Sequence, residues 1–139
     1  MTRDPKIGEL RFLYVGAGDT TAAVDFYTRS LGGRLRWRFQ RFGADVAGIE
    51  LDSGPLVLLA DHRPPGSVLP IWTVPDLAAQ LDDLRAAGRS VRGPEGTPEG
   101  DVIVVDGPGG AELAFIEVVR PDALDHAFDD DTNTHRVDP

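Results

Sequence analysis

The segment DTTAAVDFYTRSLG, from Asp19 to Gly32, decides the fold of this chain. Asp19 is a residue type that caps helix N-termini, and residues 20–31 carry one apolar stripe at helical spacing. Gly32 accepts the left-handed backbone conformation that ends a helix. Residues 10–17, just before the segment, are rich in apolar and aromatic side chains, which predicts a strand. The pattern therefore predicts a strand that leads directly into an amphipathic helix.

Three further strands are predicted after this helix. Leu35, Trp37 and Phe39 alternate with arginines, which predicts a strand with one apolar face and one cationic face. The alternating arginines are Arg34, Arg36 and Arg38. These arginines could bind an anion or the acidic tail of the same or a partner chain. They also fit a solvated edge that discourages strand pairing, which is the commoner arrangement. Residues 46–51 and 55–60 complete a β-α-β-β-β order.

The same order restarts after a linker at residues 63–66. Residues 68–74 predict a strand, and Asp76 precedes a helix that ends at Gly88. Weak and strong strands follow at residues 90–92, 101–105 and 111–119, with a Pro/Gly loop at 93–100. We therefore expect a single domain, 1–119, with modules at 9–62 and 67–119, and a partly disordered acidic tail at 120–139.

Composition excludes several kinds of site. The 139 residues contain no cysteine, so disulfides, zinc–thiolate sites, iron–sulfur clusters and thiol nucleophiles are excluded. The formal net charge of −9 opposes binding to nucleic acid. No apolar run reaches the length of a membrane helix, and the N-terminus lacks a signal-peptide pattern. We expect a cytoplasmic protein that binds neither membranes nor nucleic acid.

Three motifs, in order, resemble the glyoxalase/bleomycin-resistance/dioxygenase (vicinal oxygen chelate) family. They are Phe26-Tyr27 followed by Leu31-Gly32, then Val74-Pro75-Asp76, then Asp106-Gly107-Pro108-Gly109-Gly110 before a final strand. The resemblance covers about residues 9–118. It implies an α+β fold in which two βαβββ modules form a curved mixed sheet with a cleft.

The resemblance also implies where metal ligands would stand, and this chain departs from the family there. The corresponding residues are Phe12, Leu69, Leu58 or Leu59, and Leu113 or Ala114. None has a nitrogen, oxygen or sulfur donor that could coordinate a divalent cation. The chain's histidines, His62, His126 and His135, suggest no alternative ligand set. We expect no metal and no other cofactor.

A cleft without metal would be lined by side chains in phase with these positions. The predicted ligand-binding residues are Phe12, Tyr14, Trp37, Phe39, Leu69, Ile71, Thr73, Leu113, Phe115 and Glu117. Such a surface could stack a flat ligand, with Tyr14, Thr73 and Glu117 as polar contacts. Aromatic residues at strand spacing more often fill a core, and Glu117 fits equally a solvated strand end. If chemistry occurs, Glu117 and Tyr14 are the candidate acid–base groups.

The resemblance and the missing ligands lead to one functional expectation and two alternatives. The expectation is a metal-free homodimer that sequesters an aromatic or cationic compound without chemistry, as the bleomycin-resistance branch does. The first alternative is an isomerase, lyase or dioxygenase-like enzyme with a non-standard metal site or metal-free acid–base chemistry. The second is a regulatory protein whose acidic tail binds another protein.

Overall fold

The computed structural model describes residues 7–41 and 43–124. The first module contains β1 (Leu10–Gly16), α1 (Thr20–Asp25), a π-helical turn (Phe26–Ser30), β2 (Arg34–Arg41), β3 (Ala44–Glu50) and β4 (Leu56–Ala60). The second contains β5 (Val68–Thr73), α2 (Leu77–Ala86), β6 (Val91–Gly96), β7 (Asp101–Asp106), a 3₁₀ turn (Pro108–Gly110) and β8 (Glu112–Ile116). The predicted βαβββ repeat is confirmed. Most of the predicted acidic tail, with His126 and His135, lies outside the described residues.

All eight strands form one mixed sheet in the order β2-β3-β4-β1-β5-β8-β7-β6. Within each module the first and last strands are parallel, β1 with β4 and β5 with β8. The two modules meet at the antiparallel pair β1 and β5, where Tyr14 lies opposite Leu69. The sheet is therefore continuous across both halves of a single chain, and the α+β class predicted from the sequence is confirmed.

Both α-helices begin where capping residues predict. Asp19 accepts a hydrogen bond from the Ala22 amide at 3.1 Å, and Asp76 accepts one from the Ala79 amide at 3.0 Å. The first helix changes to π-helical hydrogen bonding at Phe26. Both helices pack on the same side of the sheet, because their apolar residues contact buried side chains of β3, β4 and β7.

The side of the sheet opposite α1 and α2 is what we call the inner face. Its buried residues are Phe12, Trp37, Val46, Leu58, Ala60, Leu69, Ile71, Ala114 and Ile116. They come from both modules, and Leu124 packs against them from beyond β8. The inner face is therefore a second apolar layer that ties the two modules together.

A β-bulge in β2 changes the predicted alternation. Leu35 lies opposite Ile49, but Trp37 lies opposite Gly48, so the pairing slips by one residue between them. A bulge inserts an extra residue and turns the following side chains to the other face. Leu35 therefore packs on the helix side, whereas Trp37 and Phe39 lie on the inner face. The prediction that all three share one face is wrong for Leu35.

Candidate functional site

Six of the ten predicted site residues meet on the inner face. Phe12, Trp37, Leu69 and Ile71 are buried there, and Tyr14 and Phe39 pack beside them partly buried. Trp37 lies directly over Gly48, because a methyl group built on that glycine would stand 2.6 Å from the indole Cε2 atom. The indole therefore occupies space on the inner face that only a glycine on the neighbouring strand leaves open.

Two of the predicted residues lie on the other side of the sheet. Leu113 and Phe115 pack against the residues that contact α2, whereas Ala114 and Ile116 belong to the inner face. Ala114 pairs with Ile71, which fixes the register of β8. The prediction that Leu113 and Phe115 share a face with Phe12 is therefore wrong. The ambiguity arose in the glycine-rich turn before β8, since a slip of one residue exchanges the two faces of a strand.

The last two predicted residues bind backbone groups. Thr73 Oγ1 accepts a hydrogen bond from the Glu9 amide at 3.0 Å, which holds the segment before β1 against β5. Glu117 Oε1 accepts a hydrogen bond from the Leu77 amide at 2.8 Å. Since the amides of a first helical turn lack backbone partners, this contact places the Glu117 carboxylate at the N-terminus of α2 and not within the inner-face cluster.

The family's metal-ligand positions on the inner face carry side chains that cannot bind a metal ion. Register selects Leu58 over Leu59 and Ala114 over Leu113, so the positions implied by the resemblance are Phe12, Leu58, Leu69 and Ala114. All four are apolar and buried. Among the residues that the structure describes, no group of three His, Cys, Asp or Glu side chains could hold a metal. These residues therefore do not fit a divalent cation.

An open cleft of about 740 Å³ lies at one edge of the inner face. It is bordered by the start of β1, the β3–β4 turn and the chain after β8. Its charged lining residues are Arg11, Arg36, Glu9, Glu50, Asp52 and Glu99, and we call it the arginine–glutamate cleft. Phe12, Leu56 and Leu124 connect its wall to the inner face.

The innermost ion pair of this cleft joins the two modules. Arg11 Nε and Nη2 donate to the two carboxylate oxygens of Glu99 at 2.7 and 3.0 Å, and Nη2 also donates to the Pro121 carbonyl at 3.0 Å. The Glu99 side chain is only 4% exposed. The hydrogen bond to Glu99 raises the pKa of Arg11, against the opposing effect of burial. Bidentate geometry of this kind makes a strong, oriented contact.

The arginines of β2 are paired with carboxylates of β3. Arg36 Nη1 and Arg34 Nη2 donate to the two oxygens of Glu50 at 2.6 and 2.8 Å, and these bonds, that of Arg36 first, lower the pKa of Glu50. Arg38 Nη2 donates to Asp45 Oδ2 at 2.6 Å. Each arginine of the row predicted as a cationic face is therefore bonded to a carboxylate across the strand pair, and Arg36, at the bulge, lines the cleft.

A second polar group lies at the other end of β1, and we call it the Tyr14 cluster (Tyr14, His62, Arg63, Arg92 and Glu112). The Tyr14 hydroxyl is 2.9 Å from His62 Nε2, and the Arg63 guanidinium carbon is 5.1 Å from the centre of the Tyr14 ring. Burial raises the pKa of Tyr14, whereas the charge of Arg63 lowers it in part. Arg92 donates to Glu112 and to Asp106.

Sequence reasoning found only Tyr14 in this cluster as a site residue. His62 and Arg63 follow β4 at the start of the predicted linker region, and nothing in the local pattern connects them to Tyr14. Their position directly after a buried strand was the available signal, because segments that leave a rigid strand commonly carry binding residues.

Comparisons with known proteins agree with this architecture. The fold is similar to the crystal structure of the methylmalonyl-CoA epimerase from Mycobacterium tuberculosis, with a TM-score of 0.70 at 20% identity, covering 89% of this chain and 97% of that one. A variant of the Streptomyces coelicolor methylmalonyl-CoA epimerase, in complex with 2-nitronate-propionyl-CoA, gives 0.67 at 14% identity, covering 82% and 99%. A hypothetical protein from Bacillus halodurans C-125 gives 0.66 at 15% identity, covering 81% and 95%. At these identities the likeness shows the fold alone.

Sequence comparison is more specific about the family. Comparison with curated proteins gives no significant match to the chain. No helix within the described residues is long and apolar enough to cross a membrane. The sequence model of the Glyoxalase/Bleomycin resistance protein/Dioxygenase superfamily matches residues 9–115, which is most of the chain and includes both modules. The chain therefore belongs to the Glyoxalase/Bleomycin resistance protein/Dioxygenase superfamily.

Proposed function

We propose that the chain is a metal-independent small-molecule-binding protein whose ligand occupies the arginine–glutamate cleft. The observation that carries the proposal is an open cleft of about 740 Å³ beside an inner face without metal donors at the positions implied by the family. Sites for drug-sized ligands typically measure roughly 300–1,000 Å³. The cleft is therefore large enough to hold such a molecule through direct contacts with the chain.

The walls of the cleft favour an aromatic cation. Phe12, Leu56 and Leu124 offer apolar surface that a flat ring can contact. Four carboxylates against two guanidinium groups give the lining a formal charge of −2. Both guanidinium groups are already bonded to carboxylates, which leaves Asp52 on the β3–β4 turn as an available partner for a ligand cation. Sequestration of such a compound, as in the bleomycin-resistance branch, is the corresponding role.

Proflavine, a planar cation, and acridone, its uncharged counterpart, provide a direct test. Thermal unfolding of the untagged full chain is followed in EDTA with each compound. We expect proflavine to raise the melting temperature, since a ligand at a hundred times its Kd adds about 2.7 kcal/mol to the free energy of unfolding. Acridone is expected to shift it less, because it carries no positive charge to form an ion pair with a carboxylate.

Two variants make the test specific to the cleft. Asp52→Asn should weaken proflavine binding measured by fluorescence, whereas Asp82→Asn, on the exposed side of α2, should not change it. Leu56→Arg should block the cleft. Stabilisation by nickel, zinc or manganese alone, or proflavine binding that is unchanged by both Asp52→Asn and Leu56→Arg, would refute the proposal.

A second candidate function is acid–base catalysis without a metal ion. The Tyr14 hydroxyl and the His62 imidazole form a hydrogen bond through which a proton can be exchanged, and two structural relatives are methylmalonyl-CoA epimerases. Deuterium uptake from D₂O into methylmalonyl-CoA separates this candidate from a binding protein. Uptake that depends on Tyr14, and is lost in Tyr14→Phe, would favour the enzyme; no uptake favours binding alone.

The homodimer and the cytoplasmic location stay predictions. Light scattering of the full chain at micromolar concentration tests the first, and a monomer would contradict it.

A further inference from the structure

We infer that the Tyr14 cluster contains a second binding site, separate from the arginine–glutamate cleft, for the carboxylate of a small monocarboxylic acid. A cavity of about 220 Å³ opens beside the cluster. Arg63, Arg92 and Glu112 form its polar side, and Leu69, Val102 and Val104 form its apolar side. None of these residues lines the larger cleft.

Arg63 is the residue of this cavity whose bonding is incomplete. Its Nε atom is buried and has no hydrogen-bond partner among the described residues. Among the described residues its carboxylate neighbour is Glu112, whose Oε1 atom is 3.9 Å from Nη2, too far for a hydrogen bond. The guanidinium group is held over the Tyr14 ring, and the side chain is 21% exposed. The guanidinium group therefore has unused donor capacity, and the exposed part of the group can donate a hydrogen bond to an anionic oxygen that enters the cavity.

Glu112 does not supply that oxygen because Arg92 engages it. Arg92 Nη2 donates to Glu112 Oε2, and Arg92 Nη1 donates to both oxygens of Asp106 at 3.0 and 3.2 Å. Arg92 is therefore compensated by two carboxylates, whereas Arg63 shares one of them at a distance. The incomplete pairing lies with Arg63, on the side of the cavity next to Tyr14.

The charge of the lining selects the class of anion. Arg63 and Arg92 are balanced by Glu95 and Glu112, so the lining has no formal net charge. A phosphate dianion would meet two carboxylates at short range, and their repulsion would offset its attraction to Arg63. A carboxylate monoanion matches the forked guanidinium donors with half that charge. The apolar side and the small volume fit a short aliphatic body.

Sodium isobutyrate is the probe for this site, with isobutyramide as its uncharged isostere and inorganic phosphate as the dianion. Calorimetric and NMR titrations of the full chain, with arginine Nε–Hε signals observed, should show saturable isobutyrate binding that shifts the Arg63 signal. Arg63→Met should weaken binding by roughly ten- to a hundredfold, the effect of losing a hydrogen bond to a charged group. Arg63→Lys keeps the positive charge but loses the forked guanidinium donors, so its isobutyrate affinity should lie between those of the unsubstituted chain and Arg63→Met.

Matched controls separate a lost site from a damaged fold. Arg89→Met removes the same charge from an exposed position after α2 and should leave isobutyrate binding unchanged. Asp52→Asn, in the other cleft, should leave it unchanged as well. Thermal unfolding confirms that each variant is folded. No saturable isobutyrate binding, equal binding by Arg63→Met and Arg89→Met, or equal or tighter binding of isobutyramide or phosphate would overturn the inference.

Discussion

The arginine–glutamate cleft and the Tyr14 cluster use the same residue types for different purposes. In the cleft, Arg11 donates two short hydrogen bonds to Glu99, and the Glu99 side chain is 4% exposed. In the Tyr14 cluster, Arg92 and Glu112 are each close to half exposed, and Arg63 Nη2 is 3.9 Å from a carboxylate oxygen of Glu112. The first arrangement is an ion pair that connects the two modules. In the second, the guanidinium group of Arg63 keeps hydrogen-bond donors that a ligand can use.

The difference shows that burial and pairing geometry, more than residue identity, decide what a charged side chain does. A fully satisfied buried pair resists rearrangement, because separating the partners leaves a charge in a poorly solvated place. A half-exposed pair contributes little to stability and can exchange partners with a ligand. Each prediction below tests this contrast.

The largest effect is expected from Arg11→Met. It leaves the Glu99 carboxylate buried without its partner, which should lower the free energy of unfolding by about 3–5 kcal/mol. Arg92→Met removes the same group from the exposed cluster and should change stability far less. Chemical denaturation of both variants measures the contrast. Adding Glu99→Met to Arg11→Met should recover much of the loss; equal losses in the two single variants would contradict the contrast.

Gly48→Ala should disturb the inner face that lies between the two polar groups. The added methyl group would stand 2.6 and 2.8 Å from Cε2 and Cζ2 of Trp37, so the indole must move. Overpacking of this kind costs about 1–3 kcal/mol. Gly96→Ala is the control, since its methyl group meets no atom closer than 3.8 Å. Indole fluorescence in a Trp72→Phe background should change only for Gly48→Ala.

Glu117→Ala tests a carboxylate that belongs to neither polar group. Loss of its hydrogen bond to the Leu77 amide should cost about 0.5–2 kcal/mol, as for other helix N-terminal caps. Proflavine and isobutyrate affinities should not change. A loss of either affinity with unchanged stability would instead assign Glu117 to a binding site.

The smallest effect is expected in the titration of Tyr14. In a Tyr27→Phe background, absorbance near 295 nm should show a pKa above the ordinary value of 10.0, because burial disfavours the phenolate. Arg63→Met should raise it further by removing a cation that stabilises the phenolate. A raised folded-state pKa means that this contribution to stability is complete below pH 10.0 and is lost as pH rises through the folded-state pKa. A lower pKa in Arg63→Met would contradict the contact.

Local signals in the sequence were sufficient for the order of elements and the starts of the helices. Asp19 and Asp76 cap helices because a capping side chain bonds amides only three residues away. The alternation of side chains correctly predicted that Phe12 and Tyr14 of β1 share a face of the sheet. It failed at β2, where a bulge places Leu35 and Trp37 on opposite faces. A bulge is an event between two strands, so one strand's pattern does not reveal it.

The polar contacts of the candidate site could not be predicted from neighbouring residues in the sequence. Arg11 and Glu99 are 88 residues apart, and Tyr14 and His62 are 48 apart. Neither pair shares a motif. Tyr14 meets His62 because β1 pairs with β4, which His62 follows. Arg11 meets Glu99 because β5, β8 and β7 connect β1 to the loop before β7.

The sequence by itself determined the repeat, the family and the apolar residues at the positions where the family would place metal ligands, because these depend on residue type and order along the chain. The tertiary structure decided that Leu113 and Phe115 face α2, that Glu117 caps α2, and which arginines are fully paired. Strand register and burial set these outcomes, since both depend on contacts between residues far apart in sequence.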